Sequence, residues 1–290
     1  MISIKQLQVF AAIARYGNLS QAAEALFLSK GAVSQSLAEL ERQLATQLFD
    51  RVHPRLQLNS QGQQLQPLAD EVLARVQDIN QLFRAEAIAG GTLRLGASQT
   101  IGNYLLPQLL AAFPEADIRV EISNTHKLCQ QLANFELDLA LIEGRSHLPQ
   151  LQQQPWLQDE MLLVAAQQHP LAQYASVQLT DLENAHWVLR EAHSGSRELF
   201  EQQLAPKLTK VGRILELNSL EAVMLAVEQG LGLTLISKLA AARHLHDGTL
   251  KQLPLALHFP RQLSLVWHQQ KYLSALAQQF IHHCQHQSFA

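Results

Sequence analysis

Between Ser29 and Leu44 the apolar residues Val33, Leu37, Leu40 and Leu44 recur at steps of four, three and four. That spacing puts all four on one face of a helix and leaves Lys30, Ser34, Gln35 and Glu41 on the other. Upstream, Ala22, Ala23 and Leu26 keep the same rhythm, with the Ser20 hydroxyl placed to cap a helix start. A tight break at Leu28 and Ser29 separates the two stretches, and Ser29 repeats the capping role. Ala22 and Ala23 are small enough for another helix to cross closely. Downstream, Val52 to Leu58 reads as a small β-ribbon, with Arg51 and Arg55 flanking His53 and Pro54.

Helix, break, helix and ribbon make a winged helix-turn-helix. Its second helix has an apolar side for docking and polar tips for base edges, since Ser and Gln both donate and accept. Ser29, Lys30, Gly31, Ser34, Gln35 and Ser36 are the expected groove-facing residues. Arg51 and Arg55 are expected at phosphates, where a guanidinium adds affinity without sequence information. Residues 1–60 carry six Lys or Arg against four Asp or Glu, whereas the rest carries sixteen against twenty-one. The basic excess therefore lies with the motif, although the whole chain has a formal charge of −3. An αα-hairpin used only for packing is the structural alternative.

The segment Asn18–Gly62 resembles the DNA-binding domain of LysR-type transcriptional regulators. The match lies at Ala22-Ala23, Ala32-Val33-Ser34, Leu40-Glu41, Leu48-Phe49, Arg51 and Gly62. It departs at Gly31, where Pro is usual, and at Asn59, where Thr is usual. The resemblance implies a protein that reads double-stranded operator DNA and responds to a small molecule. It implies a homodimer or homotetramer, with RNA polymerase as a further partner such regulators can take.

A length of 290 residues suits two domains, and 47% apolar content with 16% charge suits ordinary globular cores. No apolar run of about eighteen residues exists, so no membrane span is expected. The N-terminus lacks the features of a signal peptide. Cys129 and Cys284 are far apart and fit no metal spacing, which suits a reducing cytoplasm.

From Ser60 to about Ala89 the apolar positions Leu65, Leu68, Val72, Val76, Ile79 and Leu82 or Phe83 are three or four apart. This is a long amphipathic helix with a narrow stripe, bent or weakened at Pro67. In the resemblance it is the linker helix through which protomers pair. Gly90-Gly91 ends it. Strands are then expected at Thr92–Gly96, Ile118–Ile122, Leu137–Ile142, Met161–Ala165, Trp187–Arg190, Arg213–Leu217 and Leu233–Ile236. Helical patterns between them indicate an α/β fold with mostly parallel sheets.

The resemblance implies an α/β fold with an α-rich winged helix-turn-helix head and an effector region of two Rossmann-like subdomains, as in type II periplasmic binding proteins. The head spans 1–60, the linker 61–89 and the effector region 90–290. Subdomain I takes about 90–162 and 266–290, and subdomain II about 163–265. On the resemblance the chain crosses near Met161–Ala165 and returns near Leu263–His268, and a last helix, Ser274–His283, rejoins subdomain I.

In open α/β sheets ligands sit beyond strand C-termini, against helix N-termini. Four junctions qualify: Ser98-Gln99-Thr100, Asn124-Thr125, Ser194-Gly195-Ser196-Arg197 after His193, and Ser219 after Asn218. Hydroxyls, free N–H groups and a nearby guanidinium favour a small anion. Each junction alone is equally a simple helix cap. The strings Gly96–Pro107 (GASQTIGNYLLP), Asp138–Gly144 (DLALIEG) and Arg190–Glu198 (REAHSGSRE) resemble the family branch that regulates sulfur metabolism and carbon fixation. His193 and Ser196 replace that branch's usual Gly and Thr. The implied effector is a sulfur oxyanion or another anionic metabolite.

His282, His283, Cys284 and His286 suggest a metal site, but no carboxylate lies close in sequence and the expectation is no metal. Ala192–Ser196 lacks the flanking glycines of a nucleophile elbow. No cofactor or catalytic activity is expected. The rival reading is a solute-binding or enzymatic α/β protein with an incidental helical head.

Overall fold

The computed structural model describes residues 1–52, 55–81 and 91–289. The head opens with α1 (Ile4–Tyr16), an element the sequence reading did not include. Ser3 and Gln6 form a reciprocal capping box at its start, and Gly17 closes it in the left-handed region. Then come α2 (Leu19–Ala25) and α3 (Lys30–Leu44). The cap of α2 is Asn18 rather than Ser20: Asn18 Oδ1 accepts the Gln21 N–H at 2.8 Å. Ser20 already lies within the first turn, where its own amide is one of those needing a partner. Ser29 caps α3 as expected, its Oγ accepting the Ala32 N–H.

Strands β1 (Phe49–Val52) and β2 (Arg55–Leu58) pair antiparallel as the wing, which begins three residues before the expected start. His53 and Pro54 lie outside the described residues. Phe10, Ile13, Ala22, Val33, Leu40, Leu48 and Phe49 make the head's core. Each large side chain buried there contributes roughly 1.5–3 kcal/mol.

Helix α4 (Ser60–Gln81) continues past Pro67 without ending there. Asn59 starts it: Oδ1 accepts the Gly62 N–H at 2.9 Å, and Nδ2 donates to the Gln47 carbonyl. A Cβ on Gly62 would sit 2.2 Å from the Leu48 carbonyl oxygen, so the helix can approach the wing only with glycine there. The stripe divides. Leu65 packs on the head core, whereas Leu68 (61% exposed), Val72 (42%) and Ile79 (64%) face water. Leu82, Phe83 and Gly90 lie outside the described residues.

The effector region begins with β3 (Thr92–Ser98), α5 (Gln99–Tyr104), α6 (Leu106–Leu110), β4 (Asp117–Ser123), α7 (Thr125–Ala133) and β5 (Leu139–Glu143). It continues through β6 (Leu151–Ala166), β7 (Trp187–Arg190), α8 (Gly195–Leu199), β8 (Ile214–Leu217), α9 (Leu220–Glu228), β9 (Thr234–Ser237) and α10 (Lys238–His246). It closes with β10 (Leu250–Gln252), β11 (Phe259–His268) and α11 (Ala275–His286).

The sheet is mixed rather than mostly parallel. β3 pairs parallel with β4 and β5, and β7 with β8, but every pairing made by β6 and β11 is antiparallel. The cause is the crossover. β6 is one sixteen-residue strand whose N-terminal half joins β11 in the first lobe and whose C-terminal half joins β9 and β10 in the second. β11 returns beside it. Met161 and Phe259 already pack in the second lobe and Leu263 in the first, so the crossing lies a few residues earlier than expected on both strands.

Each lobe is a sheet covered on both faces. In the first, α5, α6 and α11 cover one side with Ile101, Leu106, Leu109 and Phe280, and α7 covers the other with Leu128 and Leu132. In the second, Phe200 packs on Trp187 on one side, and Val223, Met224, Ala240 and Ala241 cover the other.

Candidate nucleic-acid interface and ligand cleft

In the head, Val33, Leu37 and Leu40 are buried. Ser29, Lys30, Gly31, Ser34 and Gln35 are exposed, with Ser36 half-buried. Apart from the Ser29 cap, none of these side chains is bonded to another described residue, so the polar row is free to meet a partner. Arg55 is likewise exposed on β2. Arg51 lies on β1 opposite Leu56, and its side chain is outside the described residues. Glu41, expected on the outer polar face, instead accepts the Leu48 N–H at 2.8 Å and ties α3 to the wing.

The four junctions of the effector region converge between the lobes. Gln99 reaches across: Oε1 accepts the Leu220 N–H at 2.7 Å and Nε2 donates to the Asn218 carbonyl at 3.0 Å. Asn124 caps α7 through the Lys127 N–H and also donates to Glu191 of the second lobe. The His126 ring stacks on that of His193, 4.8 Å between centroids, and His147 meets Glu198. The cleft is therefore held closed.

Its floor is built around Glu143, at the C-terminal end of β5. Glu143 Oε1 accepts the Thr100 N–H at 2.8 Å, and its carbonyl accepts from Thr125 Oγ1. A Cβ on Gly195 would stand 2.7 Å from Glu143 Cβ, so α8 comes this close only because position 195 is glycine. Arg261 on β11 pairs with Glu143 at 2.7 Å and with Asp159 on β6, while Ser237 donates to Asp159. Burial opposes ionisation of Glu143, but the Arg261 guanidinium and the Thr100 amide outweigh it and hold the carboxyl below its ordinary value.

Among the expected ligand residues, Ser98, Thr100, Thr125, Ser194, Gly195 and Ser196 are buried on this floor. Ser98 Oγ lacks a partner at hydrogen-bonding geometry among the described residues, although it stands near enough to Glu143 to favour its charged form. Ser194 and Ser219 cap α8 and α9. Arg197 lies at the start of α8, where its guanidinium pairs with Glu201 at 2.6 Å and reaches Glu216.

Residues 4–63 match the family described as bacterial regulatory helix-turn-helix protein, lysR family, and residues 87–288 match the LysR substrate binding domain. The chain belongs to the LysR family. It is a LysR-type transcriptional regulator with a helix-turn-helix DNA-binding head and an effector-binding domain. It is similar to the HTH-type transcriptional regulator YeiE of Escherichia coli (strain K12), 38% identical over 98% of this chain and 97% of that protein. A probable RuBisCO transcriptional regulator of Cyanidioschyzon merolae is 32% identical, over 95% of each chain. The fold matches full-length OxyR from Pseudomonas aeruginosa with a TM-score of 0.77 at 23% identity, over 98% of this chain and 93% of that one.

As a LysR-family regulator the chain is no enzyme, which removes the rival reading. Sequence reasoning missed the floor charges Arg261 and Asp159 and the bridging Glu191. Glu143 stands in the DLALIEG string, but nothing local marks it as the hub. His282 and His286 stack on each other, and no group of three potential metal ligands occurs among the described residues. Cys129 and Cys284 are buried free thiols; burial raises both, Cys284 to about 12. No helix among the described residues is long and apolar enough to cross a membrane.

Proposed function

We propose that this regulator reads operator DNA as a homodimer or dimer of dimers in the cytoplasm, set by a small oxyanion or anionic metabolite bound between its lobes. The observation that carries the anion reading is the seating of Glu143. A carboxylate paired with Arg261 accepts the Thr100 N–H beside Ser98, Thr125 and Gly195, so guanidinium and amide together already stabilise a negative charge on the floor. Ser98, Thr100, Thr125 and Ser196 supply hydroxyls, and the starts of α5, α7, α8 and α9 supply further N–H groups. Two anions cannot share the Thr100 amide, so an arriving oxyanion takes the place of the Glu143 carboxylate there. The lobes then settle at a different closure, and the population of head arrangements shifts.

The exposed Leu68, Val72 and Ile79 support pairing of two copies along α4, which removes that stripe from water. A head of this kind usually reads two half-sites. Ser29, Lys30, Gly31, Ser34, Gln35 and Ser36 face the bases in this reading, and Arg51 and Arg55 the phosphates.

Calorimetric titration with sulfite, sulfate, thiosulfate and phosphorylated sugars tests the effector class. Heat with at least one, lost in Thr100→Val, is the expected result. Silence with all of them, alongside binding of a neutral or cationic ligand, overturns it. A mobility-shift assay with the protein's own upstream DNA tests the operator reading separately.

A further inference from the structure

A second charge cluster lies at the other end of the strands that floor the cleft, where the linker helix meets the effector region. Asp70 on α4 pairs with Lys271 at 2.7 Å and with Arg94 at 3.4 Å. Asp138 completes the group, 2.6 Å from Arg94 and 3.0 Å from Lys271, and it also accepts the Arg94 N–H. Two carboxylates and two cations balance, and all four are largely buried. Lys271 is only 7% exposed and Asp70 15%. Next to them the Arg75 guanidinium of α4 lies 4.2 Å from the Tyr272 ring centroid.

The position of this cluster is informative. Arg94 lies near the start of β3, whose end carries Ser98. Asp138 immediately precedes β5, whose end is Glu143. Lys271 follows β11, which carries Arg261 near its beginning. Because β11 runs antiparallel to β5 and β3, all three strands have a cleft-floor residue at one end and a cluster residue at the other. Asp70 is the one member that belongs to the linker helix rather than to this sheet.

We propose that Asp70 is a latch residue. Its carboxylate, gripped by Lys271 and Arg94, fixes the angle of the linker helix against the same strands that floor the cleft, and so fixes the separation of the paired DNA heads. The inference rests on the proposed pairing of two copies along the linker helix, but not on the anion reading. A surface ion pair has no such reach; a shielded pair between two bodies does, since loss of one partner leaves a buried charge unpaired.

The test uses the full chain and its own upstream DNA with half-site spacing either natural or lengthened by five base pairs. Latched heads cannot follow the longer spacing, so the unaltered protein loses about a hundredfold in affinity as two-head engagement fails. In Asp70→Asn the joint yields, and the loss falls below about tenfold. Lys271→Gln acts on the opposite partner and should behave alike, with the double variant no worse than either single one. It also decides the matter if Asp70→Asn does not fold. Thermal melting of each variant separates a released joint from a damaged domain. A spacing penalty in the folded variants equal to that of the unaltered protein, or no penalty in the unaltered protein, overturns the proposal.

Discussion

Gln99 on the first lobe and Leu220 on the second are joined by a single side-chain contact, Oε1 accepting the Leu220 N–H at 2.7 Å. With the Nε2 bond to Asn218, one amide both closes the cleft and caps α9. Gln99→Ala removes two bonds and leaves an unpaired helix-start N–H. The closed state should lose about 1–3 kcal/mol relative to the open one. A distance measurement between labels on the two lobes should show a wider population; an unchanged distribution would place the closure elsewhere.

The head separates affinity from sequence reading. Arg55→Ala and Arg51→Ala should each weaken DNA binding across sequences and lower the salt slope by about one. Gln35→Ala should instead cost about 1–3 kcal/mol at one base pair and relax preference there. Binding titrations at several salt concentrations distinguish the two. A salt slope that does not change for Arg51→Ala would take it off the list of phosphate contacts.

Asn59, where Thr is usual, caps α4 with its amide oxygen and holds the Gln47 carbonyl with its amide nitrogen. Asn59→Ala should therefore destabilise the head by about 1–2 kcal/mol, and Asn59→Thr by much less. Thermal melting followed by circular dichroism reads both. Equal effects would show that the cap contributes nothing.

Asp138 gives the effector region an acid limit. Burial opposes its ionisation, yet the Lys271 and Arg94 charges lower it from 3.8 to about 2. A depressed carboxylate stabilises the fold above its unfolded value and loses that contribution as pH falls through its folded one. The loss should amount to about 2 kcal/mol between roughly pH 4 and pH 2. Denaturant titrations over that range should show the slope, and Asp138→Asn should flatten it; a variant with the original slope would assign it to other carboxylates.

The head was legible from Asn18 onward because its information is local: caps, a 3.6-residue rhythm and small residues at a crossing. Helix α1 was equally legible, with Ser3, Gln6 and Gly17 as its signals, yet it lacks the polar row that draws notice to α3. The alternating strands and helices carried the α/β class, and the two-lobed plan came with the family resemblance, but neither carried strand direction. Antiparallel pairing of β6 with β11 joins residues about a hundred positions apart, and no short pattern encodes it. The same distance hid the cleft floor, since Glu143 and Arg261 are 118 residues apart. The Glu201 and Glu216 partners of Arg197 lie four and nineteen residues away and were not read from the helix-start pattern that singled Arg197 out.

The unbroken β6 has a consequence for how this regulator can be taken apart. One strand gives its first half to one lobe and its second half to the other, so no cut between the lobes spares both. Neither lobe can be excised and expressed by itself, and a chimaera that exchanges ligand preference must graft the whole effector region. Opening must also twist two adjacent strands along their length, because no loop at the crossing is available to swing.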